Sequence, residues 1–355
     1  MKHPIRSAVS ILTVCAAAVL GRAEPLRHAF LAIDEGMNNL LYIDQWNASK
    51  NWIVPIKEGH PRDMQLVGGG RLLISTDAGY NEYDIATGRI LKEVARYHDI
   101  SSARRLPNGH TLVAGVDFDG PKTNKGTSPV GDPTGRHIVV GDFDGEDHEV
   151  SRVTYVGDYV RIMRETAAET FLFGQNMLFK EGDGKGNFIW EIEVPGIQDH
   201  RAPGKPPIQP HAWMALRLPN GHTLMSSGYG TSQGDGSAFM VEVDIAGKVV
   251  RRFGDASQVP AEVHPYFYAM FQLLPSGTGK RTAYDVVVAN WQGHGKNHGT
   301  SGVQVLEFDP KGAIVWQWSD SRIISSIQGI LVLDGLDTQK LQDERLGVMA
   351  PLASQ

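Results

Sequence analysis

Four histidines stand just before strand-like apolar segments of this chain: His60, His98, His211 and His264. Imidazole can bind a metal, transfer a proton or hydrogen-bond an anion. Neutral histidine suits zinc, manganese, copper or iron, so the four side chains could hold a transition metal if the fold brings them together. Each histidine comes from a different part of the chain, so no local ligand spacing defines such a site.

The same segment starts carry other residues that could bind a ligand. Arginine could stabilise negative charge, and aromatic rings could form the walls of a pocket. The glycine-rich stretch 290–302 adds further aromatic and imidazole side chains. The candidate ligand-binding set is His60, Arg62, His98, Asp99, Tyr159, Arg161, Trp213, Tyr266, Tyr268, Trp291, His294 and Gln328.

Three kinds of chemistry fit these residues. The first is a metal site at the four histidines, and the second is a pocket for an anionic or sugar-like ligand. The third is catalysis, in which His211 or His264 acts as a general base or accepts a transferred group. An arginine beside it would then stabilise the negative charge that develops.

A repeated heptad indicates the elements that position these residues. "LPNGHTL" occurs at 106–112 and again at 218–224. Proline presets the first corner of a tight turn, and Asn and Gly accept the positive φ of the next ones, so each copy predicts strand, turn, strand. Weaker copies begin near Leu66, Glu165, Leu274 and Val332.

These turns recur every 40 to 59 residues, and two more strand-like segments follow each of them. One four-stranded blade per period is typical of a β-propeller. Five complete blades are predicted at 60–97, 98–157, 158–195, 210–255 and 264–320. Residues 28–56 offer three strands and 325–335 a fourth, so we expect an all-β, six-bladed propeller whose C-terminal strand pairs with the N-terminal strands.

The two faces of such a propeller differ in this sequence. One face carries short generic turns and holds His110 and His222, which we expect to be structural. The other face, here called the loop-rich face, receives the first residues of each innermost strand. It also carries the long connections 116–136, 195–210, 228–237 and 290–302. Long loops on a rigid scaffold usually carry function, so the site is predicted there.

Several blade segments resemble the PQQ-like and arylsulfotransferase-like propeller superfamily. They are "HDISSARRLPNGHTLVAG", "YDIATGRILKEV" and "FDPKGAIVWQWS". The resemblance implies a propeller over nearly all of the chain and suggests a group-transfer or elimination enzyme in which His211 or His264 accepts the group or proton. The tryptophan-docking repeats of a quinone dehydrogenase are absent, and fold alone does not determine activity.

The N-terminus is typical of an exported protein. Lys2 and Arg6 precede an apolar run at 8–20, which is too short for a membrane span of about 20 residues. We therefore expect a signal peptide at 1–23, a single propeller domain at 24–355 and a periplasmic or secreted location. The only cysteine, Cys15, would be removed with the signal peptide, so no disulfide is expected.

Loss of three cations with that segment changes the formal net charge from −6 to −9. An acidic surface without a basic cluster disfavours nucleic-acid binding. The leading hypothesis is an exported propeller that binds a carbohydrate, a phenolic or a sulfated compound. The alternatives are the transfer or elimination enzyme, a metal-dependent lyase or hydrolase, and a non-catalytic scaffold for envelope protein assembly. The oligomeric state is not predicted.

Overall fold

The structure, a computed structural model, describes residues 25–120, 136–194, 210–229, 238–275, 284–294 and 302–346. These residues form strands and only three short 3-10 turns, at Ala48–Lys50, Ala261–Val263 and Glu344–Leu346. The all-β prediction is therefore confirmed for them. No helix within these ranges is both long and apolar enough to cross a membrane. The predicted signal peptide lies outside the described residues.

Four of the five sheets have four strands each. The first contains β1 (Ala29–Asp34), β2 (Asn39–Asp44), β3 (Trp52–Pro55) and the C-terminal β24 (Ile327–Val332). The second contains β4 (Met64–Gly68), β5 (Arg71–Thr76), β6 (Gly79–Asp84) and β7 (Ile90–Ala95). The third contains β8 (Ile100–Arg105), β9 (Thr111–Val116), β10 (His137–Phe143) and β11 (Glu149–Val156). The fourth contains β12 (Met163–Glu165), β13 (Phe171–Gln175), β14 (Leu178–Gly182) and β15 (Phe188–Glu193).

The fifth sheet has eight strands in two halves. One half contains β16 (Pro210–Arg217), β17 (Thr223–Tyr229), β18 (Phe239–Val243) and β19 (Val249–Phe253). The other contains β20 (Phe267–Pro275), β21 (Tyr284–Trp291), β22 (Val305–Phe308) and β23 (Ile314–Trp318). A single residue pair, Gly228 with Phe267, joins β17 to β20. The sheets together form a β-propeller arrangement.

The C-terminal strand completes the first sheet, as the sequence predicts. In β24, Val332 pairs with Phe30 and Ile330 pairs with Ala32, both in antiparallel register. The buried carboxylate of Asp34 accepts backbone N–H groups from Ser325 at 2.7 Å and Ser326 at 2.9 Å. These contacts connect the two ends of the chain, so β24 serves as the fourth strand of a sheet that begins almost 300 residues earlier.

The repeated heptads form the predicted strand–turn–strand units. The N–H of Leu106 donates to the carbonyl of His110 at 2.8 Å, and Gly109 has φ +88°. Asn108 does not take positive φ, because its side chain instead accepts the N–H of His110 at 2.9 Å. The imidazole of His110 pairs with Asp142 on β10 at 3.1 Å. In the second copy, His222 pairs with Glu242 on β18 at 2.7 Å, so both histidines connect neighbouring strands.

After β24 the chain passes along the ends of the second sheet. Leu341 pairs with Val67, and the N–H groups of Gly69 and Gly70 donate to carbonyls of residues 339 and 338. This path delivers Glu344 into a buried group of charges, here called the ion cluster. Its members are Asp63, Arg104, Arg164 and Glu344.

Candidate functional site

Three predicted site residues share an unusual backbone conformation at the entrance to an innermost strand. His60 has φ +48°, Asp99 has φ +58° and His264 has φ +46°. They precede β4, β8 and β20, respectively. A residue with a Cβ rarely adopts the left-handed region, and each instance costs of order 1–3 kcal/mol. Such strain concentrates at functional sites, which supports a site at these strand entrances.

Bulges near the starts of the innermost strands turn side chains away from strict alternation. In β16 the register shifts between Ala212 and Met214, so Trp213 is the additional residue. A bulge bends its strand and redirects its side chains. Here the indole of Trp213, only 2% exposed, lies beneath the guanidinium of Arg161.

The Arg161 cluster consists of Tyr159, Arg161, His211 and Trp213, all predicted site residues. The guanidinium carbon of Arg161 lies 4.5 Å from the centroid of the Tyr159 ring and 4.7 Å from that of the Trp213 ring. The rings of Tyr159 and His211 are 6.3 Å apart. A guanidinium over aromatic faces is attracted by their quadrupoles, and this attraction is stronger when the site is desolvated. The cluster therefore holds one cation against two aromatic walls.

Three buried polar atoms of this cluster lack a hydrogen-bond partner among the described residues. They are Nε of Arg161, Nε1 of Trp213 and Nδ1 of His211. The arginine and tryptophan nitrogens can only donate. Leaving a buried donor unpaired costs about 1–3 kcal/mol, so an acceptor that enters here would recover that free energy.

Burial and neighbouring positive charge lower the pKa values of both His211 and Arg161. Burial, with the neighbouring charge of Arg161, lowers the pKa of His211 to about 4. Burial also lowers the pKa of Arg161 to about 10, and Arg62 adds repulsion while Glu35 opposes the shift. At neutral pH the imidazole is therefore uncharged and the guanidinium is still protonated.

A second group, the Glu35 cluster, contains Glu35, Trp291 and His294. The Trp291 Nε1–H donates to Oε2 of Glu35 at 3.2 Å, and Nδ1 of His294 lies 3.3 Å from Oε1. The two rings meet edge to face at 4.8 Å. Burial raises the pKa of Glu35, but the bonds from His294 and Trp291 and the charge of Arg62 outweigh it and lower that pKa overall.

The sequence prediction missed Glu35. It lies in the short turn between β1 and β2, whereas the search for functional groups followed long loops and the first residues of innermost strands. This turn joins the second and third strands of its sheet, and such turns belong to the loop-rich face. The position of the turn could have identified the residue, but its length could not.

Phe267 connects the two clusters. Its ring lies 5.4 Å from Trp213 and 5.7 Å from Trp291, edge to face in both cases. Tyr266 packs 6.1 Å from Trp291 and 6.1 Å from His264. The structure thus brings together seven of the predicted residues through continuous ring contacts and through Arg161: Tyr159, Arg161, His211, Trp213, His264, Tyr266 and Trp291. His294 joins them through Trp291, and Arg62 through its charge on Glu35 and Arg161.

Other predicted residues have different surroundings. His98 places Nε2 2.7 Å from the carbonyl oxygen of Gly120 and Nδ1 3.4 Å from Asp99. His60 is exposed. Gln328 is buried, and its Oε1 has no hydrogen-bond partner among the described residues.

Tyr268 requires a correction. Its ring is completely buried against Phe308, and its hydroxyl donates to the carbonyl of Gly254 at 2.6 Å. Tyr268 lies within β20, whereas His264, with its left-handed backbone, and Tyr266 precede that strand, so Tyr268 does not share their surroundings. Tyr268 therefore belongs to the core and not to the candidate pocket.

The predicted metal set has separate immediate contacts. His211 faces Tyr159, His98 bonds Gly120, and Nδ1 of His264 lies 3.2 Å from Oε1 of Gln292. Across the described ranges, no group of three or more His, Cys, Asp or Glu side chains is placed to hold a metal ion. The metal site at the four histidines stays a prediction.

Comparison with known proteins bears on the fold. No protein-family model matches the chain, and no curated protein matches its sequence. A solved protein of unknown function from Bacteroides caccae is similar, with a TM-score of 0.61 at 20% identity over 86% of this chain and 98% of that one. At such identity the likeness concerns the fold alone.

Two further solved structures are more distant. Regucalcin, a calcium-binding protein from Agrobacterium tumefaciens, has a TM-score of 0.45 at 12% identity, over 86% of this chain and 92% of that one. A catalytically inactive virginiamycin B lyase from Staphylococcus aureus, with quinupristin, has a TM-score of 0.41 at 11% identity. That match covers 81% of this chain and 79% of the lyase.

Proposed function

We propose that this protein is an exported six-bladed propeller that binds a small polar ligand at the Arg161 cluster. The count of six treats the eight-stranded sheet as two blades, because only the pair Gly228 and Phe267 joins its halves. The ligand would be a carbohydrate, a phenolic or a sulfated compound. The periplasmic or secreted location rests on the sequence of residues 1–23.

The observation that carries this proposal is the state of Arg161. The side chain of Arg161 is half-buried and its Nε is shielded from solvent. A cation taken out of water is normally paired with a carboxylate, because desolvation of an unpaired charge is costly. In the described part of the chain, no carboxylate oxygen lies within 4.0 Å of the guanidinium nitrogens of Arg161. Its Nε and the indole N–H of Trp213 both lack a hydrogen-bond partner among the described residues. An acceptor oxygen from a ligand would pair these donors.

The walls of the site favour a ligand with a flat face. Tyr159 and Trp213 contact the arginine, and Phe267 extends the aromatic surface toward Trp291. Aromatic rings pack on the faces of sugars and phenols, while a few placed polar groups fix their orientation. This combination supports a ring-bearing ligand with at least one acceptor oxygen.

His211 supports a second candidate, a group-transfer or elimination reaction. Its depressed pKa keeps the imidazole neutral at physiological pH, and its Nδ1 is buried without a partner. A neutral imidazole can accept a proton or a transferred group from a ligand held by Arg161. Its low basicity means that the arginine would have to stabilise the negative charge that develops.

Calorimetric titration of 4-nitrophenyl sulfate, 4-nitrophenol and maltose would test the binding proposal. We expect at least one of them to bind the wild-type protein and to bind Arg161→Met at least 100-fold more weakly. The matched control is Arg251→Met, since Arg251 also lies over two rings, Phe253 and Tyr284, but pairs with Glu242. Equal affinity of wild type and Arg161→Met for every bound probe would overturn the proposal.

A further inference from the structure

Opposite charges approach each other in this site without direct contact. Glu35 influences Arg161, and Arg62 influences both of them. No carboxylate oxygen among the described residues comes within 4.0 Å of the guanidinium nitrogens of Arg62 or Arg161. The three charges therefore influence one another without forming an ion pair among the described residues.

A series of contacts connects these groups. Arg161 covers the Trp213 ring, Trp213 meets Phe267, and Phe267 meets Trp291. The indole N–H of Trp291 then donates to Glu35. The guanidinium and the carboxylate therefore lie at opposite ends of one series of buried aromatic rings.

Glu35 keeps acceptor capacity at its end. Each carboxylate oxygen can accept about two hydrogen bonds. Oε1 is used by His294 and Oε2 by Trp291, one bond each. The side chain is 9% exposed, so the remaining acceptor positions are largely shielded from bulk water. A ligand hydroxyl could donate there, and a charge-assisted bond of this kind is stronger than a neutral one.

The charges also select the ligand. Arg62 and Arg161 carry two positive charges, Glu35 carries one negative charge, and His211 is neutral. The site is therefore complementary to a ligand with a net charge of −1, which a hydroxylated anion has and a zwitterion lacks.

Resting on the proposed function, we propose that the site is specific for a hydroxylated organic anion, whose anionic oxygen pairs with Arg161 and Trp213 while its hydroxyl donates to Glu35. Glu35 thereby becomes the specificity-determining residue of the site. A ligand that lacks the hydroxyl loses only the Glu35 contact, and a neutral ligand loses the Arg161 contact.

The test compares probes that carry one or both groups. Benzoate supplies the anion, phenol the hydroxyl, and 4-hydroxybenzoate both, while glucuronate and methyl glucoside provide a sugar pair. We expect wild type to bind 4-hydroxybenzoate or glucuronate at least tenfold more tightly than benzoate, phenol or methyl glucoside.

Two variants separate this inference from the proposed function. Glu35→Gln should weaken the hydroxylated anion about tenfold and leave benzoate unchanged or bound more tightly, since a negative charge is removed. Glu35→Asp, which keeps the charge, should bind the hydroxylated anion with an affinity between those of wild type and Glu35→Gln. Arg161→Met should weaken every anion. The melting temperature of each variant verifies that it is folded.

The outcomes are distinguishable. If benzoate binds through Arg161 but Glu35→Gln changes both anions equally or neither, the inference fails and the proposed function stands. If Arg161→Met changes the affinity of no probe that wild type binds, both fail. If wild type binds none of the five probes, the inference fails, and the titration of 4-nitrophenyl sulfate, 4-nitrophenol and maltose decides the proposed function.

Discussion

The arginines of the ion cluster and Arg161, which lie near the same innermost strands, have different partners. In the ion cluster, Asp63 is completely buried and accepts from both terminal nitrogens of Arg164 at 2.9 Å. Glu344 pairs with Arg164 at 2.7 Å and also with Arg104. Arg161, only three residues before Arg164, has aromatic rings where Arg164 has carboxylates. Paired charges hold the fold together, whereas Arg161 has no carboxylate partner among the described residues.

The difference follows from where the partners originate. Glu344 reaches the ion cluster only because the chain after β24 pairs with the second sheet, through Leu341 and Val67. Asp63 stands just before β4 and also accepts the hydroxyl of Ser102. Two distant parts of the chain thus supply the carboxylates that pair with Arg104 and Arg164, whereas Arg161 contacts aromatic rings of the described residues around it.

The largest effect is expected from Asp63→Ala. Removing one partner of a buried ion pair leaves the other charge uncompensated and costs about 3–5 kcal/mol. Urea unfolding should therefore show a loss of about that size, with an unchanged dependence on denaturant concentration. Asp320→Ala is the matched control, because its partner Arg322 is exposed, and it should cost less than about 1 kcal/mol. A similar loss of stability in both variants would contradict the expected difference between a buried and an exposed ion pair.

Two histidines, His28 and His211, should make the free energy of unfolding depend on pH in opposite directions. Burial lowers the pKa of His28, but its contacts with Asp334 at 2.5 Å and Glu307 at 2.8 Å outweigh this and raise the pKa to about 9. Because the folded pKa exceeds the unfolded value of 6.5, its stabilisation is complete below pH 6.5 and is lost as the pH rises through 9. The loss should reach about 3 kcal/mol.

The measurement for His28 is the free energy of unfolding at several pH values from 6 to 10. His28→Gln should flatten the decline over this window. His148→Gln, whose side chain is 72% exposed, should leave the decline as in wild type. A decline that survives in His28→Gln would show that other groups cause it.

His211 should respond in the opposite direction. Its folded pKa of about 4 lies below the unfolded value of 6.5, so the unfolded chain binds the proton first. Stability associated with this group is therefore complete above pH 6.5 and is lost as the pH falls toward 4, by about 3 kcal/mol. His211→Gln should reduce the acid sensitivity of unfolding between these values. If the free energy of unfolding falls between pH 6.5 and 4 as steeply in His211→Gln as in wild type, His211 is hydrated in the folded protein.

The fold could be predicted from local chemistry and from the ends of the chain. Pro-Asn-Gly turns mark strand pairs wherever they occur, and the three N-terminal strands required a fourth that only the C-terminus supplied. The all-β class and the pairing of β24 with β1 follow from these signals.

The candidate site could be predicted only in part. Tyr159, Arg161, His211 and Trp213 occupy strand entrances, which the repeat locates, and they do contact one another. Tyr268 could not be placed, since the sequence does not show that β20 begins only at Phe267 and that the backbone of His264 is left-handed. The ion pairs of the ion cluster could not be predicted either. Charged residues that pair between different sheets do not recur at a regular spacing in the sequence.

The smallest effect on stability, and the most informative, is expected from Arg161→Met. The substitution removes a half-buried charge that has no carboxylate partner among the described residues, which is favourable, and it also removes cation–π contacts worth about 0.5–2 kcal/mol. These contributions oppose each other, so the free energy of unfolding should stay within about 1 kcal/mol of wild type in urea titrations. Arg164→Met, three residues away, should lose about 3–5 kcal/mol because Asp63 and Glu344 lose their partner. If both variants lose stability equally, Arg161 serves the fold as Arg164 does; if only Arg164→Met does, the guanidinium of Arg161 is retained for a ligand, as residues at binding sites often are at no benefit to stability.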